Sequence, residues 1–430
     1  PLNPAYSNTL FAAEWHEGWL PEKAVQATGG STTVRAFEAE ARQAGAAARA
    51  LLCQAAAARW DVDWRACDTE AGFVTRGNEK IRFGELAEAA ARYEVPDDVP
   101  LRREGNRLIG RGVNRLDIPA KIDGSANYAA DIRLPDMVFA AIRQGPIGDS
   151  RLKSADKAAA DRIFGVLQVV EHERWVAAVA TNWWAANKAL DAMKPKFVTS
   201  GGLAGDRAIE RALVGALDAE GTTVAEAGKI EEALAGGRIL RAEYAVGLAP
   251  HAALEPLSAT ASLADDRLQL WIATQLPGLA RDAAARAIGL DPEKVTVHPM
   301  LVGGSFGRKY EVEIAAQAAI LTLKLKRPVQ LSWSRAEDFM HEPFRPAARA
   351  RMAARLGRAG HIDGWHARIA APNGLGEMRS RTMDGLSADE AARAHAGKAS
   401  ALAVDGAVPP YGIATYAIDH HPVATGIPAG

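Results

Sequence analysis

Apolar residues recur at intervals of three and four through the first long segment. Val34, Phe37, Ala41, Ala44, Ala48, Leu51 and Ala55 form the series, with Arg35, Glu38, Arg42, Arg49 and Arg59 off it. That period predicts one long helix with a single buried stripe. It follows a small-residue run, TGGSTT at 28–33, whose hydroxyls suit a helix N-terminus. A second, short helix is predicted over 84–93, ending before Pro96. Residues 101–118 are polar and irregular and read as a linker.

From about 119 to 196 the pattern gives short strands and turns, then a helix from near Asn182 through Ala192 that stops at Pro195. This predicts a compact α+β unit, with Gly201, Gly202 and Gly205 marking its end. From about 237 strands and helices alternate. Leu268, Leu270 and Ile272 share one face of a strand, and Gln269 and Trp271 the other. A helix follows Pro277 and ends near Gly289. Val295 and Val297 lie on the next strand, and the loop GGSFGRK at 303–309 comes after it. The helix beyond places Ile314, Ala318, Leu321 and Leu325 on one face, with Glu311 and Glu313 at its start and Lys324 and Lys326 at its end. That charge order suits the helix dipole. Val329, Leu331 and Trp333 alternate on a strand. Ala350, Met352, Ala354 and Leu356 alternate with Arg349, Arg351 and Arg355 on a half-exposed antiparallel strand, and turns at Gly360 and Asp363-Gly364 lead into its return.

Composition narrows the function classes. Lys plus Arg total 51 and Asp plus Glu 52, so the chain has no basic excess for nucleic acid. Two cysteines, Cys53 and Cys67, are too few for an iron–sulfur cluster, which takes four ligands. No zinc spacing of cysteines and histidines is present. His420 and His421 are adjacent, so on a strand they point to opposite faces and read as ordinary strand residues. No window reaches the ~18 apolar residues of a membrane span.

Four stretches are candidates for chemistry, each with a plain structural alternative. GGSFGRK joins a strand to a helix, so its amides are available to an anion; the alternative is a turn. Gln275, leaving the strand 267–273, is placed to donate a hydrogen bond to an oxo group or to satisfy loop backbone. Glu255, in HAALEP at 251–256, is either a functional or a structural buried carboxylate. The TGGSTT loop is either an anion site or a helix cap.

In order along the chain, these stretches resemble the molybdenum-binding subunits of the xanthine dehydrogenase and aldehyde oxidase family. The landmarks are HAALEP, LQLWIATQLP, ARAIGLDPEKVTV, GGSFGRK, RPVQLSWSRAEDF and FRP between 237 and 365. RLDIPAKIDGSANYAADIRLPDMVFAAI at 115–142 and NWWAANKAL at 182–190 resemble the entry and closing helix of that family's hammerhead domain. NPAYSN with TGGSTTVRAFEAEARQAGAAARALL resembles the isoquinoline 1-oxidoreductase beta branch.

The resemblance implies an α+β, multi-domain molybdopterin-binding architecture. Residues 1–100 would be part of the second molybdopterin-binding domain in a permuted position. Residues 119–200 would be the hammerhead domain, and 201–430 the first molybdopterin-binding domain and the start of the next segment. The implied cofactor is molybdopterin cytosine dinucleotide, with no protein ligand on the molybdenum. Gln275 would hydrogen-bond the molybdenum oxo group. Gly303, Gly304, Phe306 and Gly307 would present backbone to the cofactor, and Thr28, Gly29, Gly30 and Ser31 would line the pterin or its phosphates. Beside the loop, Arg308 and Lys309 either help hold cofactor phosphates or form a solvated pair. The implied reaction is oxidative hydroxylation of an N-heteroaromatic or aldehyde carbon, with water as oxygen source. Electrons would pass to [2Fe-2S] clusters on a small partner subunit, and from there to a cytochrome c or another acceptor. The compartment stays open between bacterial cytoplasm and periplasm.

Three departures bear on that picture. Ser305 stands where the family usually has a third glycine, and a side chain there is expected to narrow the approach to the metal. Leu254 replaces a methionine, a volume-conserving change. Tyr310 stands where xanthine-specific relatives carry a substrate-binding glutamate, which speaks against xanthine. The family's catalytic glutamate is expected beyond Gly430 and its Gly-Gln-Gly segment before Pro1. The chain is therefore expected to be a portion of a catalytic large subunit. The competing expectations are a non-catalytic cofactor-binding or scaffold chain completed by another polypeptide, and an unrelated α/β phosphate-binding protein.

Overall fold

The computed structural model describes residues 26–29, 32–102, 108–200 and 205–430. Apart from the residues before 28, these form two compact units, Thr28–Asp123 and Gly124–Gly430. The fold is α+β.

In the first unit the predicted long helix runs Thr32–Trp60 and the short one Phe83–Ala90. Between them lies a three-stranded antiparallel sheet, Asp68–Glu70, Phe73–Arg76 and Glu79–Arg82, which the sequence pattern does not predict. The buried stripe of the long helix also differs from the expected one. Of the expected series Ala55 is buried and Leu51 packs beside it, but Ala46, Ala50, Cys53 and Ala57 are buried too, whereas Val34 is 71% exposed and Ala41, Ala44 and Ala48 face solvent. Alanine occupies every face of this helix, so local periodicity carries little contrast. Packing against Val74 and Leu86 selects the face.

The second unit is built on a seven-stranded mixed sheet. Its spatial order is Val295–Pro299, Arg267–Ile272, Ser258–Ala264, Val329–Ser332, Val138–Gln144, Trp175–Ala180, Val166–Glu171. Val329–Ser332 pairs parallel with Val138–Gln144. The sheet therefore runs across the boundary that the glycines near 201 suggest, because joining two edges satisfies backbone groups that a boundary would expose. The strand Trp175–Ala180 is buried on both faces. Trp175, Ala177 and Val179 belong to the core that also takes in the helices Pro277–Ile288 and Glu313–Leu325, and Val176, Ala178 and Ala180 pack with the helix Trp183–Met193. This alternation follows from the two-residue repeat of a strand. These helices start and end where the sequence places them: Asn182 accepts from the Ala185 amide at 2.9 Å, and Pro277 opens its helix, which Gly289 closes at φ 70°.

A five-stranded sheet completes the unit, in the order Arg238–Val246, Ala348–Leu356, Ile362–Ala371, Tyr416–Pro422, Thr222–Ala227. The helix Asp206–Asp218 packs Ile209, Leu213 and Leu217 on it. On the strand Tyr416–Pro422, His420 bonds the Ser400 amide and the Ala371 carbonyl, and His421 bonds the Ala216 carbonyl. The adjacent histidines are strand residues held by backbone, as their alternation suggests. Among the described residues no helix is long and apolar enough to cross a membrane.

Candidate functional site

The strand Arg267–Ile272 ends beside the strand Val295–Pro299, with which it runs parallel. Two parallel strands end on the same side, so the segments that leave them meet. These are Thr274-Gln275 and the glycine loop. The Gln275 amide donates to the Lys309 carbonyl at 2.9 Å, and the Thr274 hydroxyl donates to the same carbonyl at 3.3 Å. The Ser305 hydroxyl donates to Gln275 Oε1 and accepts from the Lys309 amide at 2.9 Å. Ser305 thus turns toward Gln275 and the following turn.

Glu255 holds the other side of the loop. Its Oε2 accepts from the Gly303 amide at 2.9 Å and from Lys309 Nζ at 2.5 Å. Its own amide donates to the Gly303 carbonyl at 3.0 Å. A Cβ on Gly303 would lie 2.6 Å from Glu255 Cβ, so only glycine fits this approach. Glu255 is therefore the structural carboxylate of the HAALEP run, and it clamps the loop.

Arg308 and Lys309 stand differently from the expected phosphate-facing or solvated pair. Both are buried, at 2% and 1% exposure. Arg308 spans Glu313 at 2.9 Å and Asp338 at 3.3 Å, with its guanidinium 5.4 Å above the Trp333 ring. Lys309 gives its charge to Glu255, and burial pushes its pKa down. Buried cations already paired with carboxylates are not offered to a ligand, because breaking such a pair leaves an uncompensated ion. Tyr310 is largely buried, and that burial pushes its hydroxyl up to about 12, so it stays protonated.

The loop itself is open. Phe306 is 73% exposed and holds φ 58°, a left-handed conformation that costs a non-glycine residue on the order of 1–2 kcal/mol. Gly304 and Gly307 also have positive φ. The backbone amides of Gly304, Ser305, Phe306 and Gly307 donate no hydrogen bond among the described residues. A chain of amide donors on a turn next to a glutamine fits an acceptor-rich ligand such as a pterin cofactor. Thr28 and Gly29 belong to the other compact unit, and Gly30 and Ser31 lie outside the described residues.

Several buried ionisable groups have no counterpart among the sequence candidates. His251 Nδ1 meets Glu342 at 2.5 Å, and Arg381 bonds Glu311 at 2.9 Å. Glu311, expected at the start of the helix Glu313–Leu325, instead serves this pair. A cavity of about 420 Å³ is lined by Gln144, Arg286, Glu311, Trp333, His341 and Arg381 among others, and by none of the predicted site residues. Their only sequence signal is polar residues inside apolar runs, such as SWSRAEDFMHEPF.

Glu337, next to this cavity, accepts from the Gln144 amide at 2.7 Å and lies 3.4 Å from His341 Nε2. Burial pushes Glu337 up to about 7, and burial with the nearby Arg308 pushes His341 down to about 4. Between those values both are neutral and the contact is not an ion pair. The folded chain holds the Glu337 proton more tightly than the unfolded chain, so this group lowers stability as pH rises from the ordinary carboxylate range to about 7. His341 acts oppositely between about 4 and the ordinary imidazole range, where the unfolded chain binds the extra proton. Glu337→Gln removes only the first contribution. The stability of E337Q relative to the parent is expected to rise by about 2 kcal/mol between pH 5 and pH 8. Urea unfolding midpoints at the two pH values measure it, and parallel profiles would refute it.

Comparison with known proteins gives the class of domain and the fold. Residues 217–389 match the molybdopterin cofactor-binding domain, so the chain carries a domain of that class. It is similar to the molybdopterin subunit of a nicotinate dehydrogenase from Eubacterium barkeri and to the molybdenum-binding subunit of an aldehyde oxidoreductase from Escherichia coli, at 26% and 25% identity over 54% and 56% of this chain. It is 29% identical over 379 residues to the beta subunit of isoquinoline 1-oxidoreductase from Brevundimonas diminuta, a match covering 75% of this chain and 47% of the relative. It is 28% identical to a nicotinate dehydrogenase subunit of Pseudomonas putida, over 74% of this chain and 28% of that protein. The crystal structure of quinoline 2-oxidoreductase from Pseudomonas putida 86 superposes with a TM-score of 0.55 at 20% identity, covering 75% of this chain and 45% of that one. The aldehyde oxidoreductase of Desulfovibrio gigas gives 0.54 at 17% identity, covering 74% of this chain and 38% of that one. The fold is thus that of molybdenum hydroxylase large subunits. The chain spans less than half the length of the Brevundimonas and Pseudomonas relatives and of these two structures.

Proposed function

We propose that this chain is the cofactor-binding portion of a molybdenum hydroxylase large subunit that oxidatively hydroxylates an N-heteroaromatic or aldehyde carbon. The observation that carries the reading is the meeting of Gln275 with the glycine loop, fixed by the bonds from Gln275 to Lys309 and from Ser305 to Gln275. The family match over 217–389 supports the cofactor class.

The bound cofactor, molybdopterin cytosine dinucleotide, would supply the two-electron redox chemistry, with water as the oxygen source. This chain's residues bind and orient. The amides of Gly304 through Gly307 are the donors for the cofactor's acceptor atoms. Gln275 supplies a side-chain amide held at its backbone and at its oxygen. Phe306 offers an exposed aromatic face beside those donors. Arg308 and Lys309 act from within, holding the loop's shape through Glu313, Asp338 and Glu255. Thr28, Gly29, Gly30 and Ser31 are proposed to line the pterin. Electrons would leave to [2Fe-2S] clusters on a small partner subunit, since two cysteines in this sequence cannot ligate one. A cytochrome c or another acceptor would follow.

The test is molybdenum and released cytidine monophosphate on the natively expressed full-length protein, per mole of chain. Both are expected near one. Absence of both from a folded, freshly isolated complex would overturn the reading and leave a family fold without the family's cofactor.

A further inference from the structure

The strand Arg238–Val246 lies at one end of the five-stranded sheet. It pairs with Ala348–Leu356 on one side, and its other side has no backbone partner among the described residues. Free edges are commonly blunted by a bulge, a proline or a covering element. This one pairs in unbroken register with its neighbour and contains no proline. Leu240, Ala242, Tyr244 and Val246 alternate onto one face of the strand. Val404 packs with Ala367 and Ile418 on that face of the sheet, while these four residues stay exposed, Leu240 at 46%, Tyr244 at 58% and Val246 at 61%. An edge with free backbone groups and bare apolar side chains is a template for a further strand.

The residues of this strand fit a second copy of themselves. A twofold axis through the sheet pairs two copies antiparallel and keeps each residue on its own face, so the pairing must centre on one residue. Centred on Ala242, the middle of the strand, the whole length pairs. Arg241 then opposes Glu243 of the second copy, and Leu240 opposes its Tyr244. Centring on Arg241 or on Glu243 sets like charges face to face, and centring on Leu240 or Tyr244 leaves both charges without an opposite and shortens the overlap. Arg241 is exposed and has no acidic partner among the described residues, whereas Glu243 already meets Arg349 and Arg351 of its own chain.

We propose that two copies of this chain join edge to edge through Arg238–Val246, centred on Ala242, so that their sheets become continuous. The inference goes beyond the proposed function and does not depend on the cofactor.

The experiment uses the natively expressed full-length protein. Sedimentation velocity of the parent at micromolar concentration is expected to show two copies of this chain per assembly. Ala242→Cys places a thiol opposite its own copy, so mild oxidation is expected to join two copies by a disulfide. Val246→Cys, whose opposite is Arg238, is expected to give no such link. Arg241→Glu leaves the ion pairs within each chain intact and sets like charges across the axis, and is expected to weaken the assembly about tenfold or more. A single copy per assembly would overturn the inference. So would an assembly of two in which A242C does not cross-link or R241E keeps the parent's affinity, since the copies would then meet elsewhere and this edge would be free or covered by another strand. Molybdenum and cytidine content are unaffected by any of these outcomes and test the cofactor reading separately.

Discussion

Arg308→Met is expected to destabilise the second unit by about 3–5 kcal/mol at pH 8, the loss typical of removing one partner from a buried ion network. Arg308 is the shared cation of Glu313 and Asp338, and it also lies over Trp333. Methionine keeps much of the volume and takes away the charge, so the cost is electrostatic. Burial already pushes both carboxyls up in pKa while Arg308 pulls them down. Without the guanidinium they bind protons more readily, and a protonated carboxyl costs less to bury. The loss is therefore expected to shrink as pH falls toward 5. Urea unfolding at pH 5 and pH 8 measures both the size and the trend. A cost under about 1 kcal/mol at pH 8 would mean that the network contributes no more than a surface pair.

The second large effect concerns turnover. Gln275→Ala in the full-length holo-protein is expected to lower kcat about 100-fold, the scale of removing one preorganised donor from a water-poor site. The fold should persist, because the bond that seats this residue in the chain is its backbone amide to the Lys309 carbonyl, which alanine retains. Steady-state kinetics with an N-heteroaromatic or an aldehyde, at matched molybdenum content, gives the answer. Undiminished kcat at full loading would remove Gln275 from the site.

The way these residues come together shows which parts of the site the sequence carries. GGSFGRK and the glutamine after LQLWIAT are recognisable because backbone needs and chemistry coincide in short strings. Glycine is required where a Cβ would strike Glu255, and a strand end is where a side chain leaves the sheet. The helices Trp183–Met193, Pro277–Ile288 and Glu313–Leu325 are legible for a similar reason. Their apolar period is local, and Asn182, Pro277 and Gly289 punctuate it. The three-stranded sheet at 68–82 is not legible, because its strands have three or four residues and too few repeats to show alternation.

By itself the sequence determined the α+β class, the order of the landmarks and the identity of the loop that meets Gln275. These depend on the periods of strand and helix and on glycine's freedom, all properties of neighbouring residues. Only the tertiary structure decided which face of the alanine-rich helix is buried, that one sheet runs from Val166–Glu171 to Val295–Pro299, and what Ser305, Arg308 and Lys309 do. Arg308 reads as a ligand-facing cation until Asp338, thirty residues away, takes its charge. The partner of the Ser305 hydroxyl, Gln275, is also thirty residues away. A side chain's task is set by the partner that satisfies its charge or its proton, and for these residues the partners are distant in sequence and adjacent only in the folded chain.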